Sequence, residues 1–230
     1  ANGTCTVTAS QAGNTNYLAA TAAPSSSLSR SFVVERKNLS LAGVSSNNRT
    51  YDGTRAATSL VAPSVSSASL IGVVAGDTVS IDASSLNAQF ATKSIGSSKP
   101  VTVTGIALAG THADRYTVSQ PSGITANITA ATVTVAGITV PQRAYDTTTV
   151  AVLDTTAHVL SGVVPGDVAD LDASAYTASY NSAGVANGKS VTVTGLALSG
   201  SDAGNYVLTQ PVLQGNIVKA AASVLYNATR

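Results

Sequence analysis

Few residues in this sequence have the types and the spacing that chemistry requires. Three carboxylates, those of Asp167, Asp170 and Asp172, lie close together, and on a strand followed by a turn their oxygens could converge on Ca²⁺. Their spacing matches no established calcium-binding loop, so the alternative is that they cap turns. Zinc would require clustered cysteine and histidine, which the sequence lacks, and we predict neither a cofactor nor any other metal.

The sequence contains none of the motifs of nucleotide binding or of covalent catalysis. No two glycines are separated by a single residue, which excludes the Gly-x-Gly loops that hold dinucleotides. No Gly-x-Ser-x-Gly elbow is present. His112 and His158 occupy unmatched positions of two internal copies, which favours surface histidines. We therefore predict that the protein is not an enzyme.

Those two internal copies make up most of the chain. They match at a shift of 90 residues: 72–74 with 162–164, 101–105 with 191–195, and Tyr116 with Tyr206. Upstream the match continues at a shift of 94 residues, between 51–52 and 145–146. Solenoid units are only about 20–45 residues long, so a repeat of this length is a whole small domain. Duplicated domains are typical of proteins that extend or display something.

Composition and patterning predict an all-β fold. Charged residues make up 10% of the chain and Glu35 is the single glutamate, so the usual residues of helix surfaces are scarce. Short alternating stretches separated by turn signals predict tandem Ig-like β-sandwich modules, two complete and two partial. The predicted modules are 1–35 (the end of an incomplete module), 36–130 and 131–219 (complete repeats), and 220–230 (a first strand or a donor strand).

The alternation also predicts individual strands and one irregularity. In the second copy the strands are expected at 132–140, 149–160, 168–172, 175–180, 189–199, 205–210 and 212–219. The apolar residues change phase after Gly195, and after Gly105 in the first copy. A phase change at a glycine is typical of a β-bulge, so we predict bulges at both glycines.

Recurrent tyrosines indicate corners of the sandwich. Residues 202–206 (Asp-Ala-Gly-Asn-Tyr) resemble the Asp-x-Gly-x-Tyr run of immunoglobulin-type domains, in which the tyrosine hydroxyl ties a corner to nearby backbone. Looser versions end at Tyr116 and at Tyr17. The residues to which we assign structural roles, here and in the motif discussed next, are Tyr17, Tyr51, Asp52, Gly53, Gly105, Tyr116, Tyr145, Asp146, Gly195, Asp202 and Tyr206.

The motif at 51–54 (Tyr-Asp-Gly-Thr), followed by 72–77, 101–105 and 116–118, resembles the YDG repeat of large bacterial surface proteins of the haemagglutinin and adhesin type. The resemblance implies an extracellular β-sandwich array that forms a stalk, matrix or adhesive fibre. Physically, the aspartate can accept backbone N–H groups in a turn, and glycine permits a positive φ after it. The second copy has Thr147 in place of that glycine, which predicts a different turn.

The two ends of the chain allow two interpretations. Residues 1–35 resemble the last third of a related module, and 220–230 resemble a first strand. Either the chain is an excerpt whose neighbours are further modules, or its ends complement each other between molecules, because unpaired strand edges invite a strand from a neighbour. A head-to-tail contact of that kind builds a filament. The residues assigned to such contacts are Cys5, Lys219, Val224 and Leu225.

Charge and hydropathy restrict the possible partners. A net charge of +1 without a basic run argues against nucleic acid, and no apolar stretch approaches the roughly 20 residues that span a bilayer. We expect a non-catalytic structural protein at the bacterial cell surface, part of a fibre or adhesin stalk that self-associates head to tail. The alternative is a module that binds a carbohydrate or a host protein, which exposed aromatic clusters would favour; the sequence identifies no receptor.

Overall fold

A computed structural model of the chain describes residues 3–8, 15–16, 29–57 and 68–222. Nearly all regular structure in these ranges is β-strand, so the predicted all-β, sandwich-like fold is confirmed. Two single-turn 3₁₀ helices, Ala113–Arg115 and Ala203–Asn205, each lie directly before a tyrosine of the repeat. The abundance of threonine, valine and glycine thus produces short strands and tight connections.

The strands of the two repeats correspond closely. In the first part of the chain they are β1 (Gly3–Thr8), β2 (Ser29–Val34), β3 (Lys37–Ala42), β4 (Arg49–Thr50), β5 (Ser69–Ile71), β6 (Ser80–Asp82), β7 (Asn87–Phe90), β8 (Gly96–Thr104), β9 (Ala107–Ala109), β10 (Tyr116–Val118) and β11 (Thr125–Thr129). In the second repeat they are β12 (Ala131–Ala136), β13 (Arg143–Ala144), β14 (Val159–Ser161), β15 (Asp170–Asp172), β16 (Thr177–Tyr180), β17 (Ala186–Thr194), β18 (Ala197–Ser199), β19 (Tyr206–Thr209) and β20 (Val212–Val218).

Each repeat contains the same three small sheets. In the second repeat these have the strand orders β14-β12-β19, β13-β20-β17-β16 and β15-β18, and in the first they are β5-β3-β10, β4-β11-β8-β7 and β6-β9. Most pairs are antiparallel, but β12 pairs with β19 in parallel, and β13 pairs with β20 in parallel. These parallel pairs bring residues distant in sequence together.

The chain changes sheet at Gly195 instead of forming a bulge there. β17, before the glycine, pairs with β16, whereas β18, after it, pairs with β15. Gly195 has φ +77°, and an ideal Cβ there would lie 2.8 Å from the carbonyl oxygen of Ala175. Gly105, with φ +81°, separates β8 from β9 in the same way. The predicted bulges at Gly105 and Gly195 are therefore wrong, because the glycine ends one strand and starts a connection to another sheet.

One further strand prediction differs from the structure, and one observed strand was not predicted. The stretch 149–160 is irregular, with isolated bridges at Val150 and Asp154, and regular pairing begins only with β14. Conversely, the two-residue strand β13 has no alternation long enough to detect. The irregular stretch still buries Ala151 and Leu153, so its alternation reflects burial without a continuous ladder.

The core of the second repeat is formed by side chains from several sheets and from the irregular stretch. Its buried members are Ile138, Ala151, Leu153, Ala178, Tyr180, Val191, Val193, Leu196 and Ile217. Val191 and Val193 are on one face of β17, as alternation requires, and Leu196 joins the same core from beyond the change of sheet. The core therefore holds together strands that share no hydrogen bonds.

The contacts of the chain divide it into two compact units. Unit 1 comprises Ala1–Asn47, Ala56–Phe90 and Pro100–Thr125, and unit 2 comprises Asn48–Arg55, Ala91–Lys99 and Ala126–Arg230. Unit 2 thus contains the whole second repeat together with three short segments of the first, 48–55, 91–99 and 126–130. The module boundaries 36–130 and 131–219 stay predictions.

The residues assigned to intermolecular contacts are only partly described. Cys5 is on β1, where it is paired with Phe32 of β2, and Lys219 follows β20 and is exposed. Tyr17, Val224 and Leu225 lie outside the described residues. The described ranges include no helix with the length and hydropathy of a membrane-spanning segment.

Candidate functional site

The tyrosine–aspartate motif of each repeat is held in a compact turn by an arginine three residues before the aspartate. Asp52 Oδ1 accepts the backbone N–H and the hydroxyl of Thr54, and it forms an ion pair with Arg49. Asp146 makes the same contacts with Thr148 and Arg143. The hydrogen bond from the Arg143 guanidinium lowers the pKa of Asp146 to about 2.

The second copy keeps the turn of the first in spite of its threonine. Gly53 has φ +77° and Thr147 has φ +70°, so both residues have left-handed backbone. The prediction of a different turn at Thr147 is wrong, because the aspartate and arginine contacts fix the backbone whichever residue occupies the position. A β-branched residue with left-handed backbone conformation is strained by roughly 1–3 kcal/mol.

Replacement of Thr147 by glycine should therefore stabilise the protein. Relief of the left-handed strain exceeds the roughly 0.5–1 kcal/mol that a glycine loses in chain entropy, so we expect a net gain of about 1 kcal/mol. Guanidinium unfolding followed by circular dichroism measures this gain. The reverse change, Gly53→Thr, is the matched control and should destabilise, because a Cβ there would lie 2.7 Å from Cγ1 of Val164. If both variants changed the free energy of unfolding in the same direction, the explanation would be contradicted.

A second tyrosine of each repeat forms a clamp with an aspartate. In the second repeat Tyr206 Oη donates to Asp167 Oδ2 over 2.6 Å and accepts the backbone N–H of Val164 over 3.0 Å. In the first repeat Tyr116 makes the same two hydrogen bonds, to Asp77 and from Val74. The expected tie from tyrosine to backbone is present, but it reaches 42 residues upstream instead of a nearby residue.

Within unit 2, the clamp of the second repeat also receives two side chains from the first. Tyr51 Oη donates to Asp167 Oδ2 over 2.6 Å, and Lys93 Nζ donates to Asp167 Oδ1 over 2.8 Å. The rings of Tyr51 and Tyr206 meet edge to face, 5.4 Å between centroids. We call Tyr51, Lys93, Asp167 and Tyr206 the joint, since these residues connect the two repeats inside one compact unit.

Residues beside the joint extend the contact. Asn205, which is buried, accepts the backbone N–H of Ile95 over 3.1 Å. Asp202 accepts the backbone N–H of Val168, and its other oxygen is 3.6 Å from Lys93 Nζ. Asp202 therefore combines a structural bond within its own repeat with an ionic contact to the joint.

The joint holds its charges in well-defined protonation states. The ammonium group of Lys93, together with the two tyrosine hydroxyls, lowers the pKa of Asp167 to about 2, and the carboxylate in turn raises the pKa of Lys93. Burial and the hydrogen bond to Asp167 raise the pKa of Tyr206 to about 12. The side chain of Asp167 is only 3% exposed and both tyrosines are buried, so the two hydroxyl bonds are shielded from solvent, whereas the Lys93 side chain is 41% exposed.

These pKa shifts predict loss of stability at both extremes of pH. Because the pKa of Asp167 is lowered, its contribution is complete above about pH 4 and is lost as the pH falls towards 2. Because the pKa of Tyr206 is raised, its contribution is complete below about pH 10 and is lost as the pH rises through 12. Denaturant unfolding at a series of pH values should show Asp167→Asn losing less stability than wild type between pH 4 and 2. Parallel curves would contradict this assignment.

Tyr145 of the second repeat corresponds to Tyr51 of the first, but its ring is exposed to solvent. Tyr145 is 41% exposed, against 3% for Tyr51, although its backbone N–H donates to Val218 as that of Tyr51 donates to Thr129. Among the described tyrosines it is the only exposed one. The structural role predicted for Tyr145 is therefore limited to its turn.

The duplicated turn and clamp are matched by a family model. The model described as the YDG domain matches residues 35–123 and again residues 129–212, which together are most of the chain. The chain belongs to the YDG domain family. A comparison with curated proteins gave no match, and neither did a comparison with solved structures.

In these YDG repeats the candidate calcium ligands do not converge. Asp167 belongs to the joint, Asp170 contacts His158 Nε2 over 2.8 Å, and Asp172 accepts the backbone N–H of Ser174. The contact with Asp170 raises the pKa of His158. Within the described ranges, no three acidic, histidine or cysteine side chains are grouped so that they could hold a metal ion. Of the three acids only Asp172 caps a turn, as the alternative expected, whereas Asp167 and Asp170 bind side chains.

Sequence reasoning missed the arginines and the lysine of these sites. Arg49 and Arg143 share an Arg-x-Tyr-Asp spacing, which was visible in the repeat and would have identified them. Lys93 has no such signal, since Ala183 occupies the matched position of the second YDG repeat. Lys93 contacts the other repeat and not its own, so comparison of one repeat with the other does not identify it.

Proposed function

We propose that this chain is a non-catalytic extracellular structural protein, a tandem-repeat segment of a bacterial surface fibre or adhesin stalk. The observation that carries the proposal is the joint, in which Tyr51 and Lys93 of one YDG repeat contact Asp167 of the next. An array that transmits load needs its modules fixed to one another, and buried charge-assisted hydrogen bonds resist bending more than a flexible linker does. As part of the same proposal, incomplete terminal modules complement each other head to tail and extend the fibre.

The proposal is tested on intact cells of the source organism. An antibody raised against the chain should label filaments or stalks at the cell surface in electron micrographs, and protease added outside the cells should remove that label. A cytoplasmic protein of known abundance is the control, and it should resist the protease until the cells are lysed. Protection of the YDG protein to the same degree as this control would reject an extracellular role.

The alternative, a module that binds a carbohydrate or a host protein, predicts a different result. Sugars stack on exposed aromatic rings, and the described residues offer two of these, Phe32 and Tyr145. Such a module should bind a glycan array, and Tyr145→Ala should abolish that binding. We favour the structural role because Tyr145 is the counterpart of Tyr51, whose ring is used to connect repeats.

A further inference from the structure

We propose that the Tyr145 face of one chain docks onto the clamp of the first repeat, Asp77 and Tyr116, in a second copy of the chain. The contact would reproduce between molecules what the joint does inside unit 2. This inference rests on the proposed structural function but assigns the self-association to a different surface from the incomplete ends. Three observations on the matched positions support it, and a fourth sets the strength of the contact.

The first observation is the difference in burial between matched residues. In the joint, Tyr51 is 3% exposed and Val164, beside the clamp, is half-buried. Their counterparts Tyr145 and Val74 are 41% and 51% exposed. Val185 and its counterpart Ile95 differ less, at 47% and 37% exposed, so the difference is concentrated at the tyrosine and the valine. The chain thus carries one tyrosine face and one clamp face that are each built like half of the joint.

The second observation is that the clamp of the first repeat is already formed. Tyr116 is buried, and its hydroxyl holds Asp77 Oδ2 over 2.6 Å while it accepts the N–H of Val74. In the joint the same carboxylate oxygen accepts a second hydroxyl, that of Tyr51, also over 2.6 Å. Asp77 Oδ2 is therefore pre-oriented to accept the hydroxyl of an incoming Tyr145, so little order has to be gained on docking.

The third observation concerns charge. In the joint the cation that pairs with Asp167 Oδ1 is Lys93, which belongs to the first repeat. Asn205, next to the clamp tyrosine of the second repeat, is neutral. On the Tyr145 face and at the clamp of the first repeat these roles are exchanged. Ala183 replaces Lys93, and Arg115 replaces Asn205. Arg115 Nη1 is 3.0 Å from Asp77 Oδ1. One cation therefore neutralises the aspartate in both cases, so docking at Asp77 would not bury an unpaired carboxylate.

The fourth observation sets the strength of the contact. Thr147 would meet Val74 where Gly53 meets Val164, and at that position an added Cβ is only 2.7 Å from the valine Cγ1. Arg115 also cannot accept the backbone N–H that Asn205 accepts from Ile95. Both differences weaken the contact between chains relative to the joint. Association should therefore be reversible and dependent on concentration.

Sedimentation equilibrium of the full chain at neutral pH tests the proposal. Wild type should self-associate, and Tyr145→Ala should weaken association roughly tenfold or more, as expected for an interfacial tyrosine. The triple variant Thr147→Gly, Ala183→Lys, Arg115→Asn restores the residues of the joint and should strengthen association by a similar factor. Val212→Ala removes an equally apolar residue, 89% exposed, and should leave association unchanged.

A zero-length carbodiimide crosslink locates the contact. In the Ala183→Lys variant the introduced amine should couple to Asp77 of another molecule, as Lys93 and Asp167 should couple within each chain. Peptide mass spectrometry of the dimer band identifies the crosslink. A monomer at all concentrations, or association that Tyr145→Ala and the triple variant leave unaltered, would overturn the proposal. Neither outcome would affect surface labelling on intact cells, so a failure here is distinct from a failure of the proposed function.

Discussion

Gly105→Ala is expected to cost more than about 4 kcal/mol of stability, a loss of the size that only severe steric or cavity effects produce. An ideal Cβ at Gly105 would lie 2.0 Å from the carbonyl oxygen of Ser85 and 2.8 Å from its carbonyl carbon. Both are backbone atoms, so no side-chain rotation can relieve the overlap. The strand connection that carries the chain from β8 to β9 would have to move.

Gly76→Ala is the matched control, because Gly76 also has left-handed backbone, with φ +92°, but has no heavy atom within 4 Å of its ideal Cβ. This variant should cost only the strain of an alanine in that conformation, about 1–2 kcal/mol. Denaturant unfolding of both variants separates the cost of close approach from the cost of conformation. Equal losses would show that conformation alone requires glycine at Gly105.

Local pattern was sufficient to predict the fold class of the protein. Alternating threonine and valine placed Val191 and Val193 on the buried face of β17. The scarcity of helix-forming residues predicted that α-helices would be absent, and the described residues have only two single-turn 3₁₀ helices. The same pattern could not distinguish a bulge from a change of sheet at Gly195, since either event shifts the alternation of buried and exposed residues by one position. Which of them occurs depends on the partner strand, and β15 is about 25 residues upstream of β18.

Local motifs of the candidate site were predictable from the sequence, but the assembly of these motifs was not. The turn at Asp52 is local, so a short motif encodes it, and both copies of the clamp carry the same tyrosine and aspartate. The contact between Tyr51 and Asp167 spans 116 residues and depends on how two repeats pack. The sequence feature most nearly related to this contact is a difference between the two copies, in which Lys93 has no counterpart in the second.

Asp167→Ala is expected to destabilise unit 2 by about 3 kcal/mol, because one substitution leaves two buried hydroxyls and an ammonium without their acceptor. The control is Asp77→Ala. That change also removes the acceptor of a clamp tyrosine, but in the described structure no side chain of another repeat hydrogen-bonds to Asp77. It should cost less. The difference between the two variants measures what Tyr51 and Lys93 contribute by binding across repeats.

The loss should also be localised, which distinguishes a joint from an ordinary core contact. Hydrogen exchange of the intact protein should rise in 91–99, where the N–H of Ile95 donates to Asn205, while the core strands β17 and β20 stay protected. Tyr51→Phe should produce a smaller change of the same kind, and Tyr145→Phe should produce none. Uniform exchange throughout unit 2 in the Asp167→Ala variant would mean that Asp167 stabilises the second repeat itself. Increased exchange confined to 91–99 would mean that the aspartate fixes one YDG repeat to the next.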